Sequence, residues 1–198
     1  MNRNQKYRTL TGLALFTAIV VVLQIVGSFI KFGPFSVSLV LIPIVVGAAV
    51  YGPKAGAYLG GVFGVVVLIA CITGADHGGA ILWNANPFLT ALICLAKGIL
   101  AGLAAGAVYT ALARQGKNTN KVTGTIVAAV VCPVVNTGIF ILGLAVCFQD
   151  ILVSWAGGSS VVYYILVVLV GLNFLMEMLI NIILSPVIVR IIQAKAHM

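Results

Sequence analysis

With 198 residues, of which 62% are hydrophobic and only 7% charged, the chain has too few polar groups to cover a water-soluble surface. Its formal charge of +8 raises nucleic acid as a partner. The basic residues, however, stand at the ends of apolar runs and form no aromatic-interleaved stripe that would track phosphates, which excludes that class. The composition is that of an all-α polytopic membrane protein, with residues 1–198 forming a single membrane domain against lipid.

A spanning helix takes about 20 apolar residues, because the hydrocarbon core is about 30 Å thick and each residue rises about 1.5 Å. The first such run extends from Thr9 to Ile30, interrupted by Gln24 and ended by Lys31-Phe32-Gly33-Pro34. Its basic start resembles a secretory signal, but no small-residue cleavage site precedes a soluble mature chain, so it reads as a retained first helix. The second run, Ser36 to Tyr51, is short, contains Pro43 and closes in a tight turn at Gly52-Pro53-Lys54. The third covers Ala55 to Thr73. The fourth starts at Pro87, which suits a first helical turn, and reaches Ala113. The fifth, Val122 to Phe148, carries Pro133, and the sixth runs from Val161 to Ile192.

Six spans with the N-terminus in the cytosol place Arg3, Lys6, Arg8, Lys54, Arg114, Lys117, Lys121, Arg190 and Lys195 inside, against Lys31 outside. That asymmetry predicts a six-transmembrane-helix bundle with both termini cytoplasmic. A five-span arrangement with a re-entrant second run is the competing count. The runs are continuous, unlike the alternating segments of a barrel, and no internal duplication is evident.

Glycines recur every four residues at Gly52, Gly56, Gly60 and Gly64, and again at Gly98, Gly102 and Gly106, predicting small faces for close helix packing inside the chain. Cys71, Cys94, Cys132 and Cys147 have neither a C-x-x-C spacing nor a histidine nearby, so they read as small buried residues and no metal site is expected. His77 and His197 are far apart, no nucleotide loop or hydrolase motif is present, and neither an enzyme nor a cofactor is expected.

Lys97 and Glu177 fall near the middle of their runs, where an ionisable side chain costs several kcal/mol unless it has a partner or a watery cavity. Asn173, Glu177 and Asn181 share one helix face at a spacing of four, and Asn136 follows Pro133 in the fifth run. Two readings stay open: an ion pair serving structure alone, or a polar ligand cavity lined by Lys97, Asn136, Asn173 and Glu177. The outer segments Asp76-His77-Gly78-Gly79, Trp83-Asn84-Ala85-Asn86 and Gln149-Asp150 to Gly158 couple aromatics to amides or glycines. They read as loops that either close over a small-molecule site or anchor the chain at the interface.

Ala14-x-x-x-Ala18, the Gly33-Pro34-Phe35 loop, Val50-Tyr51-Gly52-Pro53-Lys54-Ala55-Gly56 and Asn173-x-x-x-Glu177-x-x-x-Asn181 before Ser185-Pro186 together resemble the S components of energy-coupling factor transporters. The resemblance implies a substrate-binding subunit for a vitamin or similar micronutrient, in the prokaryotic plasma membrane. It implies as partners a membrane coupling subunit and two cytosolic ATPases, with Ala14 and Ala18 packing against the coupling subunit. Substrate would lie toward the outside, under the loop after the first helix that carries Phe35 and between the fourth, fifth and sixth helices; the outer-segment residues Trp83, Asn84 and Asn86 are read as further candidates to contact it. A lysine with surrounding amides suits the carboxylate, hydroxyl and amide groups of pantothenate, whereas riboflavin would need an aromatic stacking slot. A stand-alone proton-coupled carrier using Glu177 and a membrane scaffold are the competing functions.

Overall fold

The computed structural model describes residues 3–28, 31–32, 35–36, 39–113 and 118–165, and then 167, 171, 174–175, 177–180 and 183. The first run forms one helix, α1 (Arg3–Gly27). Two-residue strands follow, β1 (Lys31–Phe32) and β2 (Phe35–Ser36), paired antiparallel with Lys31 opposite Ser36. The second run is helical only from Leu41, as α2 (Leu41–Tyr51), shorter than the Ser36 start expected. Its 11 residues rise only about 16 Å, about half the hydrocarbon thickness.

Gly52 makes the turn out of α2 at φ +93°, a region that L side chains avoid, and Pro53 opens α3 (Pro53–Thr73) with its missing N–H at no cost. Next come α4 (His77–Ala85), α5 (Pro87–Ala113), α6 (Asn118–Cys147) and α7 (Gln149–Ala156). The segments around His77 and Gln149 were expected to be loops and are instead short helices. Asp76 explains the first: its carboxylate accepts a hydrogen bond from the Gly79 N–H at 3.3 Å, capping α4 despite two glycines in the first turn.

Among the described residues, four helices are long and apolar enough to cross a membrane: 7–27, 53–73, 87–113 and 120–147. The sixth expected run lies largely outside the described residues. The protein is a multi-pass membrane protein; "outer" below means the end bearing the β1–β2 pair, α4 and α7.

The short α2 sits at the centre, packed by α1, α3, α5 and α6. Leu41, Ile44 and Val45 are wholly buried, as expected of a helix that is apolar on every side and enclosed by others. Antiparallel α3 and α5 make the closest contact. Gly56 lies on the Gly102 carbonyl, Gly60 on the Gly98 carbonyl and Gly64 on that of Cys94, where an added methyl group would come to 2.6 Å. The two glycine faces expected from the sequence meet each other, and backbone approach of this kind is what holds helices together in lipid.

A smaller apolar cluster at the outer end joins Leu82 of α4, Ile93 of α5, Leu144 and Phe148 at the end of α6, and Leu152 of α7. It is separate from the main core around α2.

Candidate functional site

A small cavity lies along the seam between the two apolar clusters. Cys71 from the end of α3, Asp76 and Leu82 from α4 and its cap, Thr90, Cys94 and Lys97 from α5, and Phe140 from α6 line it. Its volume is about 20 Å³, room for one water molecule.

Lys97 reaches this seam because α5 turns its Ile93–Cys94–Lys97 side toward α3 and α6. The ammonium Nζ lies 4.9 Å from the centroid of the Phe140 ring and 5.7 Å from that of Phe63. Both are cation–π distances, and such contacts gain strength where water is scarce. Asp76, only 8% exposed, faces the same cavity. The charges of Lys97 and Asp76 both act on the Cys71 and Cys94 thiols. Lys97 therefore sits between two π faces, with a carboxylate lining the same small space.

Glu177, 5% exposed, lies lower, where its charge acts on the Cys132 thiol. Cys132, Asn136 and Phe140 form one stripe on α6 at a spacing of four, so the Glu177 and Lys97 levels are about 12 Å apart along that helix. Asn136 stands midway. It is 5% exposed, and among the described residues its side-chain carbonyl Oδ1 has no hydrogen-bond partner, nor has Oε1 of Gln24 on α1. A buried acceptor without a donor costs about 1–3 kcal/mol and calls for an explanation.

The other expected residues are spread along the outer end. Trp83 is half-buried against the main core and Asn84 is exposed. Asn86 turns its side chain inward to the chain itself: Oδ1 accepts from the Leu89 N–H at 3.1 Å, capping α5. Only the backbone of Phe35 is described, in β2, which lies against α4. Asn173 and Asn181 lie outside the described residues.

Ala14 and Ala18 are exposed on α1. The opposite face of that helix is held from inside. Gly12 is covered by the Tyr51 hydroxyl, the Phe16 and Tyr51 rings meet edge to face at 6.1 Å, and the Thr17 hydroxyl lies 3.5 Å from that of Tyr58.

The sequence reading missed Cys71, Thr90 and Cys94 as cavity residues and took Asp76 for a loop residue. The register of the two glycine stripes carried the signal: pairing Gly60 with Gly98 and Gly64 with Cys94 brings the end of α3 to the start of α5.

Residues 8–189 match the family model described as the ECF transporter, substrate-specific component. The chain belongs to that family. Members of this family are the substrate-binding subunits of transporters, and this chain is such an S component. A search of curated proteins found no match.

Proposed function

We propose that this S component captures a carboxylate-bearing vitamin, pantothenate before others, from the outer side, between the Lys97 seam and the Glu177 level of α6. The carrying observation is Asn136: a carbonyl 95% buried and lacking a donor among the described residues, one helical turn along α6 from Phe140, whose ring the Lys97 ammonium faces at 4.9 Å. In this reading Lys97 binds the carboxylate, Asn136 accepts from a ligand hydroxyl or amide N–H, and Asn173 and Glu177 complete the polar lining. Trp83, Asn84, Asn86 and Phe35 belong to the outer closure. A bound vitamin needs about 300 Å³ or more, far beyond the 20 Å³ beside Lys97. Loading therefore requires α4 and the outer cluster to part from the main core along the seam.

The proposal includes six spans with both termini in the cytosol of a prokaryotic cell. Its partners are a membrane coupling subunit, docked on Ala14 and Ala18, and two cytosolic ATPases that supply the energy. Titration of the purified protein with pantothenate tests the ligand. One-to-one binding supports it, and tight flavin binding with no pantothenate binding overturns it. A second reading, riboflavin or another flat vitamin, draws support from the Phe63 and Phe140 rings, which a planar ligand could enter between in place of the Lys97 side chain. A yellow protein with flavin absorbance as purified would select it.

A further inference from the structure

A much larger space lies on the other side of the molecule, between the outer ends of α1 and α3. It has a volume of about 530 Å³ and is lined by Ile25 and Ser28 at the end of α1, by Val66, Ile69, Ala70 and Thr73 of α3, and by Ala75. None of these residues lines the Lys97 cavity. Ile25 and Ile69 are each 52% exposed, on helices long and apolar enough to cross a membrane. The medium that reaches this cleft is therefore lipid.

Its polarity is ordered along its depth. Ser28 and Thr73 stand at the outer ends of their helices, and from Thr73 to Val66 the cleft descends seven residues of α3, about 10 Å, through aliphatic side chains. That depth falls within one leaflet, which is about 15 Å of hydrocarbon. Among the described residues the lining has no charged side chain, so a soluble ionic vitamin finds no counter-charge from them.

The hydroxyls add a chemical requirement. The Ser28 hydroxyl donates to the Gln24 carbonyl at 2.8 Å, and that of Thr73 donates to the Ile69 carbonyl at 2.9 Å. With its proton bonded to the helix, each oxygen keeps a lone pair that can accept a further hydrogen bond. A ligand head at this level must therefore bring donors.

We infer that the α1–α3 cleft is a binding site for one acyl chain of an outer-leaflet lipid whose head carries hydroxyl or amine donors. The chain lies on Val66, Ile69 and Ala70, and the head meets the Ser28 and Thr73 oxygens. The volume is in the range of small-molecule sites. The site would hold α1 against α3 from the outer end, where Thr17 and Tyr58 hold it lower down.

Native mass spectrometry of the delipidated full chain, titrated with phosphatidylethanolamine or phosphatidylcholine, tests this. The expected result is one saturable phosphatidylethanolamine adduct, at least about tenfold tighter than phosphatidylcholine, which has the same net charge but lacks head-group donors. Ala70→Phe and Val66→Phe, each filling the cleft, should both weaken that adduct about tenfold or more, while Thr73→Val should remove only the preference between lipids. Two filling variants keep the test sound should one of them fold poorly, as judged by its melting curve. Unsaturable adducts, equal affinity for the two lipids, or full binding by both filled variants would overturn the inference. Displacement of the lipid by a soluble vitamin would overturn it too, by assigning the cleft to substrate.

Discussion

Asn136 and Lys97 carry opposite expectations for stability and binding, which makes them informative together. The Asn136 carbonyl is buried without a donor among the described residues, so Asn136→Leu, close in volume, should leave the melting temperature unchanged or raise it while weakening vitamin binding about tenfold or more. A purely structural asparagine would instead lose stability and spare binding. Lys97→Met keeps the aliphatic contact with Phe63 and Phe140 but removes the charge, and a charge-assisted hydrogen bond to a carboxylate is worth about 1.5–3 kcal/mol. Calorimetric titration should show affinity falling about 10- to 100-fold. Unchanged affinity would assign Lys97 to packing.

Among the elements, the α3–α5 pair and α4 behave differently because different forces form them. Gly60 rests on the Gly98 backbone, which cannot step aside as a flexible side chain can. Gly60→Leu should therefore cost about 3 kcal/mol or more and lower the melting temperature in detergent, well beyond the same change at Gly138, where nothing among the described residues lies within 4 Å. Helix α4 depends on its cap and on burial of Leu82. Asp76→Ala should cost at least about 0.5–2 kcal/mol, seen as faster amide exchange across 77–85 while α5 stays protected.

These two elements also mark what could be read from the residues. The long runs were legible because lipid demands continuous apolar length, and Pro87 and Gly52-Pro53 set the boundaries of α5 and α3 to within about two residues. The glycine faces were legible as packing surfaces. Helix α4 was not, since His77-Gly78-Gly79 has poor helix propensity and the element is held by Asp76 and tertiary burial. The cavity was only half legible. Lys97, Asn136 and Glu177 announce themselves as polar groups in apolar runs, whereas Cys71, Thr90 and Asp76 become neighbours only through the register of α3 on α5.

At the scale of the whole molecule, capture and coupling are proposed to fall on different surfaces. The vitamin site is proposed along the inner stripe of α6, and the docking face on the exposed side of α1. Ala14→Trp with Ala18→Trp should therefore abolish co-purification with the coupling subunit and stop uptake in cells, with vitamin affinity of the isolated S component unchanged. Loss of both would mean that α1 helps to form the ligand site, with the buried Gln24 as its nearest candidate group. A proton-coupled carrier would be insensitive to these α1 changes and would drive flux alone in vesicles.

What the account needs most is a ligand that depends on the stripe from Phe140 to Cys132. The direct measurement is mass spectrometry of the small molecule released from the purified wild-type protein, compared with that from Lys97→Met prepared side by side. The account predicts about one equivalent of a carboxylate-bearing vitamin from the wild type and little or none from the variant. Equal release from both proteins, or a bound molecule with no group for Lys97 to meet, would contradict it.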